Sequence, residues 1–348
     1  MGDEGWKNMP KVMSLDTVKA LTAALASLSK DQKAGFTTVL HGGEPLMLGA
    51  RRLEHLLASL RNELGSEYKI CMQTNGMLIS DEILRICSDY KMSVSVSLDG
   101  PKKINDRFRI GHVGESTFDK VIAGISKLRA HRESEFLFSG LLTVIDPLSD
   151  PEEIYDFLKG LGAPSVDFLY RDGNHSSLPF GKTSFESTEF GTWLCQLLDH
   201  YLADPTPIRV RILDDILRLA VGGAGIKEGV GLTDFGIAVI DTDGSVSKND
   251  TLKSAFNGSD RFQEHWSIFL HRLTDIFNTK EFENYHQQQR PESSVCKACT
   301  HLGVCGGGMP LHRWSKERQF DNPSVYCNDQ KTIVEHVRMH LNREGIAA

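Results

Sequence analysis

The sequence predicts an α/β protein with a parallel sheet, followed by a smaller part that carries cysteines. Two observations predict the sheet. Short runs of β-branched and apolar residues recur at roughly 25- to 45-residue intervals, and helical periodicity lies between them. Strand, helix and strand at that spacing are typical of βαβ units. A third observation marks the second part, because four of the seven cysteines lie between residue 296 and the end of the 348-residue chain.

The predicted strands and helices alternate along the first half. The strands are expected at residues 36–40, 68–73, 92–98, 138–145 and 165–170. The helices between and before them are expected at residues 15–28, 53–64, 83–86, 118–128 and 154–158. Ser14 can cap the first helix, Gly65 can end the second, and Asp150-Pro151 can open the last. Because the first recognisable element is a helix, we expect a β/α domain that lacks its first strand.

The pattern changes after about residue 185, where we place a domain boundary that divides the chain into 1–185 and 186–348. Two amphipathic helices are predicted at 190–201 and 212–219, and a hairpin at 236–247 that turns at Asp243-Gly244. A loop-rich cysteine segment follows, and a closing helix is predicted near 330–342.

Composition excludes several classes of protein. The net charge of −7 argues against a general nucleic-acid binder, which usually carries a basic surplus. No apolar run approaches the roughly 20 residues of a membrane helix, and the acidic start is not typical of a signal peptide. We therefore expect a cytoplasmic protein that binds neither nucleic acid nor membrane.

The cysteines give the strongest chemical signal. Cys296-x2-Cys299-x5-Cys305 is followed by three glycines and, further on, by Cys327. Thiolates at this spacing bind zinc or an iron–sulfur cluster, and the spacing alone does not decide between them. The other cysteines, Cys71, Cys87 and Cys195, are predicted to be packing residues.

Three glycine-bearing polar turns follow three consecutive predicted strands. They are His41-Gly42-Gly43-Glu44-Pro45, Gln73-Thr74-Asn75-Gly76 and Ser97-Leu98-Asp99-Gly100-Pro101. Each one alone is compatible with an ordinary strand-to-helix turn. Together they would share the edge where β/α enzymes place their ligands.

In order and spacing, these turns resemble the radical SAM (S-adenosylmethionine) enzymes. The cysteine tail resembles the SPASM extension, which carries auxiliary clusters in peptide-modifying members. More narrowly, Cys305-Gly306-Gly307-Gly308 with His312-Arg313, and the run from Phe320 to Cys327, resemble the FxsB-type, cyclophane-forming peptide maturases. The resemblance implies a partial (β/α)6 barrel missing its first strand, then a small α+β SPASM-like iron–sulfur domain. It also implies that Cys296, Cys299, Cys305 and Cys327 bind a [4Fe–4S] auxiliary cluster.

The resemblance also implies roles at the strand ends. Gly42, Gly43 and Glu44, in the turn that Pro45 completes, would bind the amino group of SAM. Asn75 and Ser97 would lie near its ribose and carboxylate.

Two further roles concern the turn after the third strand. Asp99 would be the catalytic residue above the active site, where it positions or deprotonates the substrate. Arg109, with Arg107, would bind a carboxylate of SAM or of the peptide. A solvated surface loop is the alternative for both arginines.

The sequence departs from the family pattern at two places. The region around 230–250 contains no cysteine and Met309 stands where a further one would fall, so we expect one auxiliary cluster. The sequence also lacks the Cys-x3-Cys-x2-Cys loop that holds the SAM-cleaving cluster. A second [4Fe–4S] cluster is therefore expected only if an N-terminal segment precedes Met1.

Two explanations of that absence stay open. The chain is either an N-terminally truncated radical SAM enzyme or a degenerate, peptide-binding scaffold with one structural cluster. The first implies oxidative crosslinking of a ribosomally made precursor peptide, with a flavodoxin- or ferredoxin-type electron donor, although this chain alone would not cleave SAM. A zinc-dependent β/α protein unrelated to SAM is a third alternative.

Overall fold

A six-stranded parallel sheet forms the centre of the protein. The structure is a computed structural model and describes residues 5–33, 35–232 and 236–346. The strands pair in chain order, β1 to β6. Their bounds are Thr37–Leu40 (β1), Lys69–Thr74 (β2), Met92–Ser97 (β3), Phe138–Val144 (β4), Ser165–Leu169 (β5) and Arg209–Val210 (β6).

Nine helices of eight or more residues occur in the described part of the chain. They are Leu15–Asp31 (α1), Ala50–Leu64 (α2), Asp81–Asp89 (α3), Phe118–Ala130 (α4), Pro151–Gly160 (α5), Glu189–Ala203 (α6), Arg211–Ala220 (α7), Lys280–Gln287 (α8) and Cys327–Arg343 (α9). Shorter helical segments lie at Gly5–Asn8, Pro45–Leu48, Lys102–Asn105, Ser134–Leu137, Asp250–Ser254, Leu273–Phe277, Ser294–Lys297, Leu302–Cys305 and Pro310–Arg313.

The predicted α/β class and parallel sheet are confirmed. Each of the five predicted strands lies within one residue of its observed bounds, and Ser14 caps α1 through the amide of Thr17. The sequence does not predict the sixth strand, because two residues give no alternating pattern. This strand lies beyond residue 185, so the parallel sheet takes its last strand from the predicted second domain. The boundary there and the partial barrel stay predictions, and the acidic start, Met1–Glu4, lies outside the described residues.

The two faces of the sheet differ in polarity. Ile70, Met72, Val94 and Val96 alternate along β2 and β3 and are at most 2% exposed, so this face packs into the apolar core. The residues between them are polar or small and only half-buried: Cys71, Gln73, Ser93, Ser95 and Ser97. A parallel sheet covered on both faces carries continuous apolar runs. The alternation here therefore leaves one polar face near the carboxyl ends of the strands.

The residues after α7 form a small antiparallel sheet and the cysteine segment. Val239–Ile240 (β7) pairs with Ser245–Ser247 (β8), which pairs with Trp266–Ser267 (β9). The hairpin turns at Asp243-Gly244 as predicted, with Gly244 at φ +84°. None of the helices in the described residues is long and apolar enough to cross a membrane.

Candidate functional site

Glu44 joins the carboxyl ends of β1 and β2. Its Oε1 accepts hydrogen bonds from the Leu46 amide at 2.9 Å and the Thr74 hydroxyl at 2.6 Å. Its Oε2 accepts one from the Asn75 amide at 2.7 Å. A carboxylate offers about four acceptor positions, two on each oxygen. Glu44 therefore holds the two turns together, and the donors of the described residues leave one acceptor position, on Oε2, for a further donor.

The turn after β2 contacts Glu44, and a side-chain hydrogen bond connects β2 to the end of β3. Asn75 Oδ1 accepts from the Met77 amide at 3.0 Å, which shapes the turn after β2. Ser97, at the end of β3, accepts from Gln73 Nε2 at 2.9 Å. The sequence does not predict Gln73 as a site residue. Its position on the polar face of the sheet, beside Ser97, indicates that it belongs to the site.

The glycines of the first turn leave its backbone open to a ligand. Gly42 has φ +67°, a left-handed conformation that glycine adopts without strain. A side chain at Gly42 or Gly43 would meet no protein atom within 4 Å. The backbone of this turn, which Pro45 ends, therefore faces open space next to Glu44.

Asp99 and Arg109 form a pair at the end of β3. Asp99 is 4% exposed. Its Oδ1 accepts from the Val144 amide at 2.9 Å, and its Oδ2 lies 2.8 Å from Arg109 Nε. Arg107 makes a separate ion pair with Asp146 at 2.6 Å. Both oxygens of Asp99 are thus engaged, an arrangement that suits a residue that positions Arg109, while the predicted acid–base role stays a prediction.

The four predicted metal-ligating cysteines line one recess. Cys296, Cys299, Cys305 and Cys327 line the same small recess, together with Gly307. None of the four is in a disulfide, and Cys327 is the first residue of α9. The structure thus brings together Cys296 and Cys327, which are 31 positions apart in the sequence.

The three glycines after Cys305 shape one wall of this recess. Gly306, Gly307 and Gly308 all have φ between +68° and +80°. A side chain on Gly306 would collide with the Gly231 carbonyl. This backbone lets the Gly307 amide donate to Cys305 Sγ at 3.4 Å. The Cys305 thiol also donates to Gln330 Oε1 at 3.2 Å, a contact that the sequence does not predict.

Burial disfavours the thiolate form of the cysteines in the recess when no cation is bound. Burial raises the pKa of Cys305 to about 12 and also raises the pKa values of Cys296 and Cys327. A bound metal supplies the positive charge that deprotonates such thiols. Arg313, 1% exposed, adds a buried positive charge that interacts with Cys296 and Cys305.

The spacing of the thiols favours a cluster over zinc. A zinc ion with four thiolates holds neighbouring sulfurs about 3.8 Å apart, given Zn–S bonds of about 2.3 Å. No three of the recess thiols have sulfur atoms that all lie within 4.8 Å of one another. In the described parts of the chain, the one set of side chains that meets this distance is Asp199, His336 and His340. The recess thiols are therefore spread more widely than a single zinc ion requires, which fits the larger iron–sulfur cluster.

Comparison with known proteins identifies the first half of the chain. The sequence profile of the Radical SAM superfamily matches residues 5–159. The chain contains a radical SAM domain. Strands β1 to β4 and the turns that carry Glu44, Asn75 and Asp99 all lie within the radical SAM domain. The cysteine recess lies beyond it.

Similar proteins extend over most of the chain. A serine-type anaerobic sulfatase-maturating enzyme of Bacteroides thetaiotaomicron is 25% identical over 335 residues, covering 87% of this chain and 76% of that protein. A cysteine-type enzyme of the same description from Clostridium perfringens is 26% identical over 306 residues, covering 85% and 79%. The chain is therefore homologous to these maturases. They support the wider family, while the FxsB-type, cyclophane-forming subgroup stays a prediction.

Solved structures agree on the fold. Native anSMEcpe with bound AdoMet and Cp18Cys peptide gives a TM-score of 0.81 at 22% identity, covering 95% of this chain and 91% of that one. SuiB of Streptococcus suis bound to S-adenosylmethionine gives 0.58 at 15% identity, covering 86% and 66%. At these identities the likeness establishes that the chain has the fold of these proteins.

Proposed function

We propose that the chain binds SAM at the strand-end turns and takes part in the oxidative radical modification of a peptide or protein substrate. The observation that carries the proposal is Glu44, whose Oε2 keeps one acceptor position beside an open glycine turn. An ammonium group is the donor that such an anionic acceptor prefers. When bound to its iron–sulfur cluster, SAM supplies a 5′-deoxyadenosyl radical that abstracts hydrogen from the substrate.

The other predicted residues have consistent places in this proposal. Gly42 and Gly43 leave room for the methionine end of SAM, and Asn75 and Ser97 lie at the neighbouring strand ends. Arg109 contacts Asp99 through Nε, and its two terminal nitrogens are the donors that would bind a carboxylate. Asp99 enters the proposal as the residue that positions Arg109.

The cysteine recess supports the proposal of an auxiliary cluster. Three features of the recess fit a [4Fe–4S] group: the four thiols, their wide spacing and the buried charge of Arg313. The proposed ligands are Cys296, Cys299, Cys305 and Cys327.

The identity of the substrate and of the product is proposed as well. The substrate would be a ribosomally made precursor peptide, and the product would be a carbon crosslink. These proposals rest on the resemblance of the cysteine tail and on the peptide named with one structural neighbour.

The SAM proposal predicts a selective effect of Glu44→Gln. We expect this variant to bind SAM at least tenfold more weakly, about 1.4 kcal/mol, because the amide cannot supply the anionic oxygen for the ammonium group. Binding of 5′-methylthioadenosine, which lacks the amino-acid end, should change little. Isothermal titration calorimetry with both ligands measures the difference.

A matched control separates this effect from a general loss of charge. Glu54→Gln removes an exposed carboxylate that pairs with Arg85 at 3.2 Å, away from the turns. It should leave both affinities unchanged. Equal weakening of both ligands in Glu44→Gln would indicate a disordered turn, and unchanged SAM binding would contradict the proposal.

A second candidate function is a peptide-binding scaffold without SAM cleavage. It holds only if no segment with Cys-x3-Cys-x2-Cys precedes Met1 in the full protein, since the given sequence does not carry this motif. The intact mass of the protein from its source distinguishes the two. A mass above 38.7 kDa with a cysteine-bearing segment before Met1 supports the enzyme, whereas 38.7 kDa supports the scaffold.

A further inference from the structure

Helices α6 and α9 pack side by side and run in the same direction. Near their starts the Gly191 amide donates to Asp329 at 2.9 Å, and one turn later Cys195 contacts the Thr332 carbonyl. Near the end of α6, Asp199 meets α9 again. This last contact is a cluster of Asp199, His336 and His340, which lies apart from the strand-end turns and from the cysteine recess.

The three side chains of the cluster converge on one point. Asp199 Oδ1 lies 2.7 Å from His336 Nε2 and 2.7 Å from His340 Nε2. The two histidines are four positions apart on α9, a spacing that places both rings on one helix face. Their ring centroids are 4.9 Å apart. All three ligand atoms lie within 4.8 Å of one another.

We propose that this cluster is a zinc-binding site. Two imidazole nitrogens and one carboxylate oxygen form a ligand set that suits Zn²⁺, with water in the fourth position. Zinc–ligand bonds of about 2.1 Å require ligand atoms about 3.4 Å apart, so each imidazole nitrogen needs to move less than about 1 Å away from the Asp199 oxygen. The Asp199 side chain is 52% exposed, which gives the ion a path from solvent.

A neighbouring histidine shows what distinguishes the cluster from an ordinary ion pair. His200 also lies between two carboxylates, with Nε2 2.9 Å from Asp156 and Nδ1 3.5 Å from Glu152. Its two contacts use opposite edges of one ring, so these groups do not converge on a single point. The cluster of Asp199, His336 and His340 does converge.

The location assigns the ion a structural role. Helix α9 begins at Cys327, a wall of the cysteine recess, and His336 follows nine residues later, roughly 14 Å along the helix. An ion that links His336 and His340 to Asp199 fixes α9 against α6. The site thereby holds the helix that presents Cys327, whether or not the proposed function is correct.

The test uses Co²⁺ and Zn²⁺ with the full chain. Cobalt in the cysteine recess gives a thiolate-to-cobalt charge-transfer band, whereas cobalt at the proposed site gives d–d bands without it. We expect the wild type to bind one Co²⁺ of the second kind, and expect zinc to displace it. His336→Gln and His340→Gln should each weaken that binding at least tenfold.

Two further variants make the result decisive. His200→Gln is the matched control and should bind the ion like the wild type. Asp199→Asn keeps an oxygen that accepts hydrogen bonds from both imidazoles, so the contacts seen without metal are preserved. Metal binding should still weaken, because the amide oxygen carries no negative charge. If the three cluster variants bind as many ions as the wild type, with equal affinity, the proposal is overturned. If the wild type binds ions only with the thiolate band, the cluster is a hydrogen-bonded network and the proposal is equally wrong.

Discussion

Replacing Cys305 by alanine is expected to abolish cluster binding in the cysteine recess. Wild-type protein, reconstituted anaerobically with iron and sulfide, should hold about four iron and about four sulfide ions per chain in this recess. Cys305→Ala removes the sulfur that accepts a hydrogen bond from the Gly307 amide, and it leaves three cysteine ligands for the cluster. We expect most of the iron to be lost, as measured by iron and acid-labile sulfide analysis together with the visible absorption of the cluster.

Cys195→Ala is the matched control for this change. Burial raises the pKa of Cys195 to about 12, as it does for Cys305, but Cys195 lies on α6 and contacts the Thr332 carbonyl. Its loss should leave the iron content unchanged. Full retention of iron by Cys305→Ala would contradict the four-thiol site, and zinc without sulfide in the wild type would favour the structural zinc alternative.

The elements predicted from sequence are those with strong local signals. Strands β1 to β5 are short runs of four to seven positions rich in β-branched and apolar residues, and helix caps such as Ser14 act through neighbouring residues. Strand β6 has two residues and is defined by its pairing with β5, a long-range contact that periodicity does not report. The sequence does not predict the short β9 for the same reason.

Some residues of the candidate sites have a local signal in the sequence, and others depend on long-range packing. Cysteine spacing and glycine-bearing turns are visible in the sequence, so Glu44 and the four thiols can be predicted from it. Gln330, Gln73 and the pair of His336 and His340 with Asp199 depend on which helices and strands lie side by side. The His336-x3-His340 spacing is a weak signal in the sequence, and only the position of Asp199 on α6 makes it meaningful.

The buried ion pair between Lys182 and Asp329 should give the largest effect on stability. Both side chains are 0% exposed, with Lys182 Nζ 2.6 Å from Asp329 Oδ2. Asp329→Ala removes the carboxylate in contact with the buried lysine, which keeps the Ser187 carbonyl at 2.7 Å and the more distant Glu189 at 4.0 Å. It also removes the acceptor of the Gly191 amide. We expect the free energy of unfolding to fall by about 3–5 kcal/mol, measured by urea denaturation.

Two comparisons test the electrostatic origin of this loss. Glu283→Ala breaks the exposed pair with Lys280 and should cost less than about 1 kcal/mol. The double variant Lys182→Met/Asp329→Leu removes both charges of the buried pair, and we expect it to recover part of the stability, because the charge that remains, Glu189, is partly exposed. If the free energy of unfolding of Asp329→Ala lies within about 1 kcal/mol of the wild-type value, the ion pair contributes no more than an exposed pair does. Apolar contacts would then account for the packing of α6 against α9 at Gly191.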